Sequence, residues 1–168
     1  AHEMIYGYGA AVVAGFLLTA ARNWTGQPTA TGAALATLFA LWVAARLACL
    51  ADIDTRVAAL LDVAFNLTLL VAVARPILRV RQWRQMGILT KLLLIALGNG
   101  VFYLGALGML DNGMRLSVHA GLYVLIGLIL TMARRLIPFF TERGVGEPVS
   151  LRNSRGLDVA CQIGRAHV

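Results

Sequence analysis

The sequence predicts an all-α, polytopic transmembrane helical bundle, on the strength of its composition, its apolar runs and their pattern. Of the 168 residues, 59% are hydrophobic and 14% are charged, whereas soluble domains carry about 25% charged residues. Crossing about 30 Å of hydrocarbon takes roughly 20 apolar residues in a helix. The runs lack the period-two alternation of barrel strands, so helices are the structure that satisfies its own backbone in lipid. The predicted partner of most of this surface is therefore the lipid bilayer.

Five apolar stretches reach this length, and a sixth begins near Leu157. They are Met4–Ala21, Thr31–Leu50, Val57–Ala74, Gly87–Leu110 and Met114–Ile137. Short turns at 23–28, 52–54 and 111–113 separate them, and Pro138 is expected to end the fifth helix, because proline disfavours helix at the residue before it. We therefore predict five spanning helices and the start of a sixth.

Basic residues occupy alternate loops, and this bias predicts the orientation. Arginines are concentrated in the loops 75–86 and 138–156, which places both loops in the cytoplasm and residues 1–3 outside. The net charge of +7 then reflects loops that face anionic lipid, so we expect no nucleic-acid partner. The bundle is predicted to be a multi-pass protein of the plasma membrane.

Small residues recur every four positions in the first helix, at Gly7, Ala11, Gly15 and Thr19. Such a stripe lets a second helix approach closely, and we expect it to pack. The two cysteines match no metal or redox spacing. No phosphate loop, nucleotide fingerprint or nucleophile elbow is present either.

Polar side chains within the spans are concentrated in the predicted outer half of the bundle. Ionisable groups there cost at least about 2.5–3.5 kcal/mol each, so they usually face a partner or a cavity. The set consists of His2, Glu3, Arg46, Asp62, Asn66, Asn99 and His119. This asymmetry is the main indication of a functional site.

The histidines are the candidate metal ligands. Helical bundles hold haem or metal between histidines on facing helices, and neutral imidazole binds both iron and copper. His119 lies about one turn inside the outer end of the fifth helix, and His2 lies at the same depth, so both could serve one site. Alternatively, His119 is hydrogen-bonded to a neighbouring helix and His2 is an interfacial residue beside Glu3.

The arginines of the outer half allow two interpretations. Arg46 and Asp62 could form a structural pair across the second and third helices, or Arg46 could hold a haem propionate. Arg115 could bind a propionate in the same way, or anchor the fifth helix at the interface. Glu3, Asp62, Asn66 and Asn99 are predicted to be supporting polar residues.

Four strings resemble the NnrS family of bacterial membrane proteins when taken together. They are His2-Glu3-Met4, GFLLTA at 15–20, NWTG at 23–26 and RRLIPFFT at 134–141. The resemblance extends over nearly all of 1–161, and the opening block to Gly26 is its most specific part. Family members usually carry another histidine two positions before the one matching His2, which here would precede Ala1.

The resemblance implies a haem- and copper-containing inner-membrane protein linked to nitric oxide metabolism and resistance to nitrosative stress. Redox activity of haem or copper on nitric oxide-derived species would fit such a protein. Members have more than twice the spans found here, so we expect 1–161 to be a partial domain. Residues 162–168 back-translate to a string resembling a sequencing adapter, and we predict that they are not native.

Two other classes of function remain open from the sequence. A transporter or permease would use the polar outer half as one gate of a substrate path. A structural partner would simply pack its histidines. Metal content distinguishes a haem- and copper-containing protein from these two classes. Substrate flux into vesicles distinguishes a transporter from a structural partner.

Overall fold

The computed structural model describes residues 1–51 and 53–145, and this part of the chain is helical and contains no strand. Five helices in it are long and apolar enough to cross a membrane, which confirms the predicted fold class. The order is a π-helical segment (Glu3–Gly9), α1 (Ala10–Thr25), α2 (Ala33–Leu50), α3 (Thr55–Arg79), a 3₁₀ turn (Trp83–Gln85), α4 (Met86–Ala106) and α5 (Gly113–Val145). The predicted sixth helix, and residues 162–168, lie outside the described residues.

Ala1–Leu130 forms one compact unit, and the described residues from Thr131 onwards do not belong to it. Within the first unit α3 is central, because it packs against α1, α2 and α4. Its buried side chains recur every three or four positions, which is the spacing of one helical face. They are Ala58, Asp62, Phe65, Asn66, Leu69, Val73, Pro76 and Ile77. Two of them, Asp62 and Asn66, are polar and lie in the first half of the helix.

Tight contacts join α4 to α5 within the first unit. A Cβ on Gly105 would lie 2.5 Å from the backbone nitrogen of Met114 and 2.9 Å from the backbone of Gly113. Tyr6 is fully buried, and its hydroxyl donates to the carbonyl of Ser117 at 2.8 Å. Small residues and one buried tyrosine thus hold α5 against the rest of this unit.

Proline does not end the helices where the sequence predicted. The helix α3 passes through Pro76 to Arg79, and α5 passes through position 138 to Val145. Proline removes one backbone hydrogen bond, but the rest of the ladder continues, as it does in many spanning helices. The prediction that Pro138 ends the fifth helix is therefore wrong, and the helical part of the basic loops is longer than expected.

Local signals explain the observed helix ends. Gly26 adopts the left-handed conformation (φ 63°), and its N–H bonds to the carbonyl of Arg22, so α1 ends at Thr25 rather than at the predicted Ala21. The carboxylate of Asp54 caps α3 by accepting a 2.9 Å hydrogen bond from the backbone N–H of Arg56.

The small-residue stripe of the first helix does not pack as predicted. Gly7 is buried, but Gly15 and Thr19 are exposed, and a Cβ on Gly15 would meet nothing within 4 Å among the described residues. Gly7 is separated from the later members of the stripe by the π-helical segment, in which the N–H of Ala10 bonds to the carbonyl of Ile5. Each π turn holds more residues than an α turn, so positions four apart leave a common face.

Candidate functional site

His2 lies at the centre of a polar cluster between the π-helical segment, α2, α3 and α4. Its side chain is only 10% exposed. The imidazole stacks on Phe102 with ring centroids 4.0 Å apart, and the rings of Tyr6 and Tyr103 lie at 5.2 and 5.3 Å. The aromatic side chains fix the plane of the histidine ring.

Polar partners engage both nitrogens of the His2 ring. Nδ1 lies 3.1 Å from Oε1 of Glu3, and Nε2 lies 2.8 Å from Oδ1 of Asn99. Nε2 also lies 3.7 Å from Oδ2 of Asp62. A neutral imidazole has one N–H and one lone pair, so it cannot donate to both oxygen partners at once.

The amide of Asn99 offers a way to resolve this conflict. Its Nδ2 is buried and has no hydrogen-bond partner among the described residues. A half-turn of the amide places Nδ2 on Nε2 of His2 and gives this donor an acceptor. In that arrangement a neutral ring would carry its proton on Nδ1, facing Glu3, and its lone pair on Nε2.

Arg46 joins the two carboxylates of the cluster. Its guanidinium bonds to Glu3 through Nη1 and to Oδ1 of Asp62 through Nη2 at 2.5 Å. The predicted Arg46–Asp62 pair is therefore present. Tyr103 donates to the other oxygen of Asp62 at 3.1 Å, so this fully buried carboxylate is satisfied at both oxygens.

The π-helical segment provides the space and the partners for Arg46 and its helix. A Cβ on Gly7 would collide with Nη1 of Arg46 and would lie 3.1 Å from Oε2 of Glu3. The carbonyl of Gly7 accepts a 3.0 Å hydrogen bond from the indole of Trp42, one turn before Arg46 on α2. Gly7 thus lets α2 approach the segment at the level of the cluster.

Asn66 is buried beneath Asp62, but it takes no part in the ring of contacts around His2. Its Nδ2 donates to the backbone carbonyl of Asp62 at 2.9 Å. This bond lies within α3, so Asn66 supports the helix rather than the imidazole.

The structure does not bring His119 and Arg115 into the cluster. Nδ1 of His119 lies 2.7 Å from the carbonyl of Arg115, and both side chains are exposed. Ser117 and Gly121 are buried on the α5 face that contacts Tyr6, and His119 stands between them in sequence on another face. His119 therefore does not take part in the cluster around His2.

Sequence reasoning missed the aromatic part of the site. Tyr103 is one turn from Asn99 on α4, so their four-residue spacing could have placed both on one face. Phe102 and Tyr6 carried no such signal, because aromatic residues are common in apolar spans. The π-helical register of Glu3–Gly9 also has no signature in the sequence.

The cluster fits a single imidazole ligand better than a complete metal centre. Neutral histidine whose second nitrogen donates to a carboxylate is the usual form of a metal-binding histidine. His2 and Glu3 can adopt that form. Within the described residues, no group of three or more His, Cys, Asp or Glu side chains is arranged to hold a metal.

Comparison with known proteins identifies the family. No match was found among the curated proteins or among the solved structures. The model of the family described as NnrS protein matches residues 1–166, which is nearly the whole chain. This match agrees with the helical membrane architecture and with the resemblance found in the sequence. The chain therefore belongs to the NnrS family.

Proposed function

We propose that this chain is part of a haem- and copper-binding inner-membrane protein that acts in nitric oxide metabolism or in resistance to nitrosative stress. Family membership supports the general assignment. The observation that carries the proposal further is the buried imidazole of His2, which lies among three aromatic rings and beside the Asn99 amide, whose Nδ2 has no hydrogen-bond partner among the described residues. Haem iron would supply binding of nitric oxide, a small apolar molecule that enters lipid.

His2 is the residue that we assign as a ligand. Its Nδ1 faces the carboxylate of Glu3, which orients the ring and raises the basicity of Nε2. Asn99 lies on Nε2, so its amide would have to move aside for a metal. The remaining ligands would come from outside this cluster, and His119 is the other proposed ligand.

Arg46 is better suited to hold the helices than to bind a propionate. Its guanidinium already pairs with Glu3 and Asp62, and it would have to leave at least one of them to bind another anion. Breaking a buried pair is costly, so we assign Arg46 to the structural role. Arg115 is exposed, and it is the arginine whose side chain could turn to a propionate without breaking this pair.

The experiment compares two histidine variants in the full-length protein, purified in detergent. Reduced-minus-oxidised visible spectra are recorded with and without nitric oxide, and copper is measured by mass spectrometry. We expect a Soret band that shifts with nitric oxide, and a loss or shift of that band or of copper in His2→Ala. The variant His119→Ala tests the second ligand in the same assay.

Each outcome separates a part of the proposal. Spectra and copper content that His2→Ala leaves unchanged would keep the function and discard His2 as a ligand. Absence of both haem and copper from well-folded protein would refute the proposal. In that case a transporter becomes the leading alternative, and substrate flux into vesicles is the next measurement.

A further inference from the structure

We propose that a groove at the basic end of the bundle binds one anionic phospholipid. The groove lies between α2, α3 and the connection before α2, and its volume is about 730 Å³. Its opposite ends differ in chemistry: one is apolar and lies within the spans, and the other carries Arg75 and Arg79. This site is separate from the His2 cluster, because Asp62 and Arg79 are about 25 Å apart along α3 at 1.5 Å per residue.

The two arginines form a site for an anion. Arg75 and Arg79 are one turn apart on α3, both line the groove, and both are exposed. Like charges at this spacing repel each other, which a bound anion would relieve. No carboxylate of the described residues forms an ion pair with either of them. A phosphate could accept hydrogen bonds from both guanidinium groups.

The rest of the groove favours a lipid over a soluble anion. Leu38 of α2 and Leu67 and Val71 of α3 form walls on which an acyl chain could lie. Thr29 and Thr31 line the groove on the connection before α2, where they could bond the glycerol or headgroup oxygens. Basic pockets at the ends of spanning helices are typical sites for anionic headgroups.

A hydrogen bond also links α1 to the connection after α3 at this end of the bundle. Nε2 of Gln82, after α3, donates to the carbonyl of Trp24 at the end of α1 at 2.6 Å. This bond ties the connection that follows α3 to the end of α1. The groove therefore lies at the end of the bundle where the connection after α3 is fixed to α1.

Native mass spectrometry of the full-length protein in detergent tests the site. The probe is phosphatidylglycerol, compared with zwitterionic phosphatidylcholine of the same acyl chains. The variant Arg75→Gln/Arg79→Gln should weaken phosphatidylglycerol binding about 30-fold, because each arginine near an anionic lipid contributes roughly fivefold. Arg22→Gln is the matched control, since Arg22 is exposed at the same end but does not line the groove.

Two further variants keep the test decisive if the double variant folds poorly. Arg75→Lys/Arg79→Lys retains the charge and should retain most of the binding. Ala72→Trp fills the groove without changing charge, and it should weaken phosphatidylglycerol binding as well. Equal affinity for phosphatidylcholine, or an unchanged affinity in both the glutamine variant and Ala72→Trp, would overturn the proposal. Full competition by glycerol phosphate would assign the site to a soluble anion instead.

Discussion

Removing the carboxylate of Asp62 should destabilise the bundle strongly. Asp62 is fully buried, and Arg46 is 13% exposed at its side chain. Taking one partner from a buried ion pair costs about 3–5 kcal/mol, because the other charge loses its compensation. In Asp62→Asn the amide oxygen still accepts a hydrogen bond, and Glu3 still pairs with Arg46. We therefore expect the lower end, about 3 kcal/mol, or roughly a 150-fold change in the unfolding equilibrium.

The assay is reversible unfolding in mixed micelles, followed by circular dichroism as the denaturing detergent is increased. Glu3→Gln is the control, because its side chain is half exposed and it pairs with the same guanidinium. Exposed ion pairs contribute only about 0–1 kcal/mol. Arg46→Met/Asp62→Leu removes both charges and should recover most of the stability, since apolar replacements of a buried pair are often neutral or stabilising.

Two results would refute this reasoning. Equal destabilisation by Asp62→Asn and Glu3→Gln would mean that burial does not determine the strength of the pair. A double variant as unstable as Asp62→Asn alone would mean that the carboxylate acts through Tyr103 or His2 and not through the charge of Arg46. The interaction energy from the cycle of Arg46→Met, Asp62→Leu and their double variant distinguishes these cases.

Three further changes test the packing around the cluster by the same unfolding assay. Gly105→Ala should cost about 1–3 kcal/mol, because its Cβ would meet the backbone of α5 and neither helix can yield locally. Its control on the same helix is Gly100→Ala, because a Cβ at this position would be in open space. This control should leave the stability unchanged or raise it by up to about 1 kcal/mol. If Gly100→Ala destabilised the protein as much as Gly105→Ala, the close approach of α4 and α5 would be contradicted. Tyr6→Phe removes the hydroxyl that bonds to Ser117, and should cost about 1 kcal/mol at the usual strength of hydrogen bonds between spanning helices. Trp42→Phe should cost a similar amount, about 1 kcal/mol, because the carbonyl of Gly7 in the π-helical segment loses its indole donor. An unchanged stability would mean that water or another group replaces the indole as the donor.

The spans could be predicted because their length in apolar residues is set by the thickness of a bilayer. The ends of the helices were predicted less well where arginines follow the apolar run. The helix α3 continues from Ala74 to Arg79, although the apolar run ends at Ala74. Arginine side chains can reach the interface while their backbone stays helical, so charge alone does not mark the end of such a helix.

The sequence predicted in which half of the bundle the site residues lie, but not which faces of the helices point towards one another. Depth placed His2, Asp62 and Asn99 among the polar residues of one half of the bundle, and the structure joins them. The predicted depth also grouped His119 with them, although His119 does not lie on the face of α5 that contacts Tyr6. Because these helices are apolar on nearly every side, their sequence holds little information on which face meets the bundle.

The π-helical segment explains why one small residue acts in the site and not in a packing stripe. Counting by four from Gly7 leads to Gly15, whose position is open, because the count passes through a segment that is not α-helical. Gly7 instead meets α2 in two ways: its missing Cβ leaves room for Arg46, and its carbonyl accepts from Trp42. The same segment carries Glu3, the second carboxylate on Arg46, and begins next to His2. A change of helical register at this point therefore couples the position of the imidazole to the ion pairs of α2 and α3, which is consistent with the frequent occurrence of π-helical turns at functional sites.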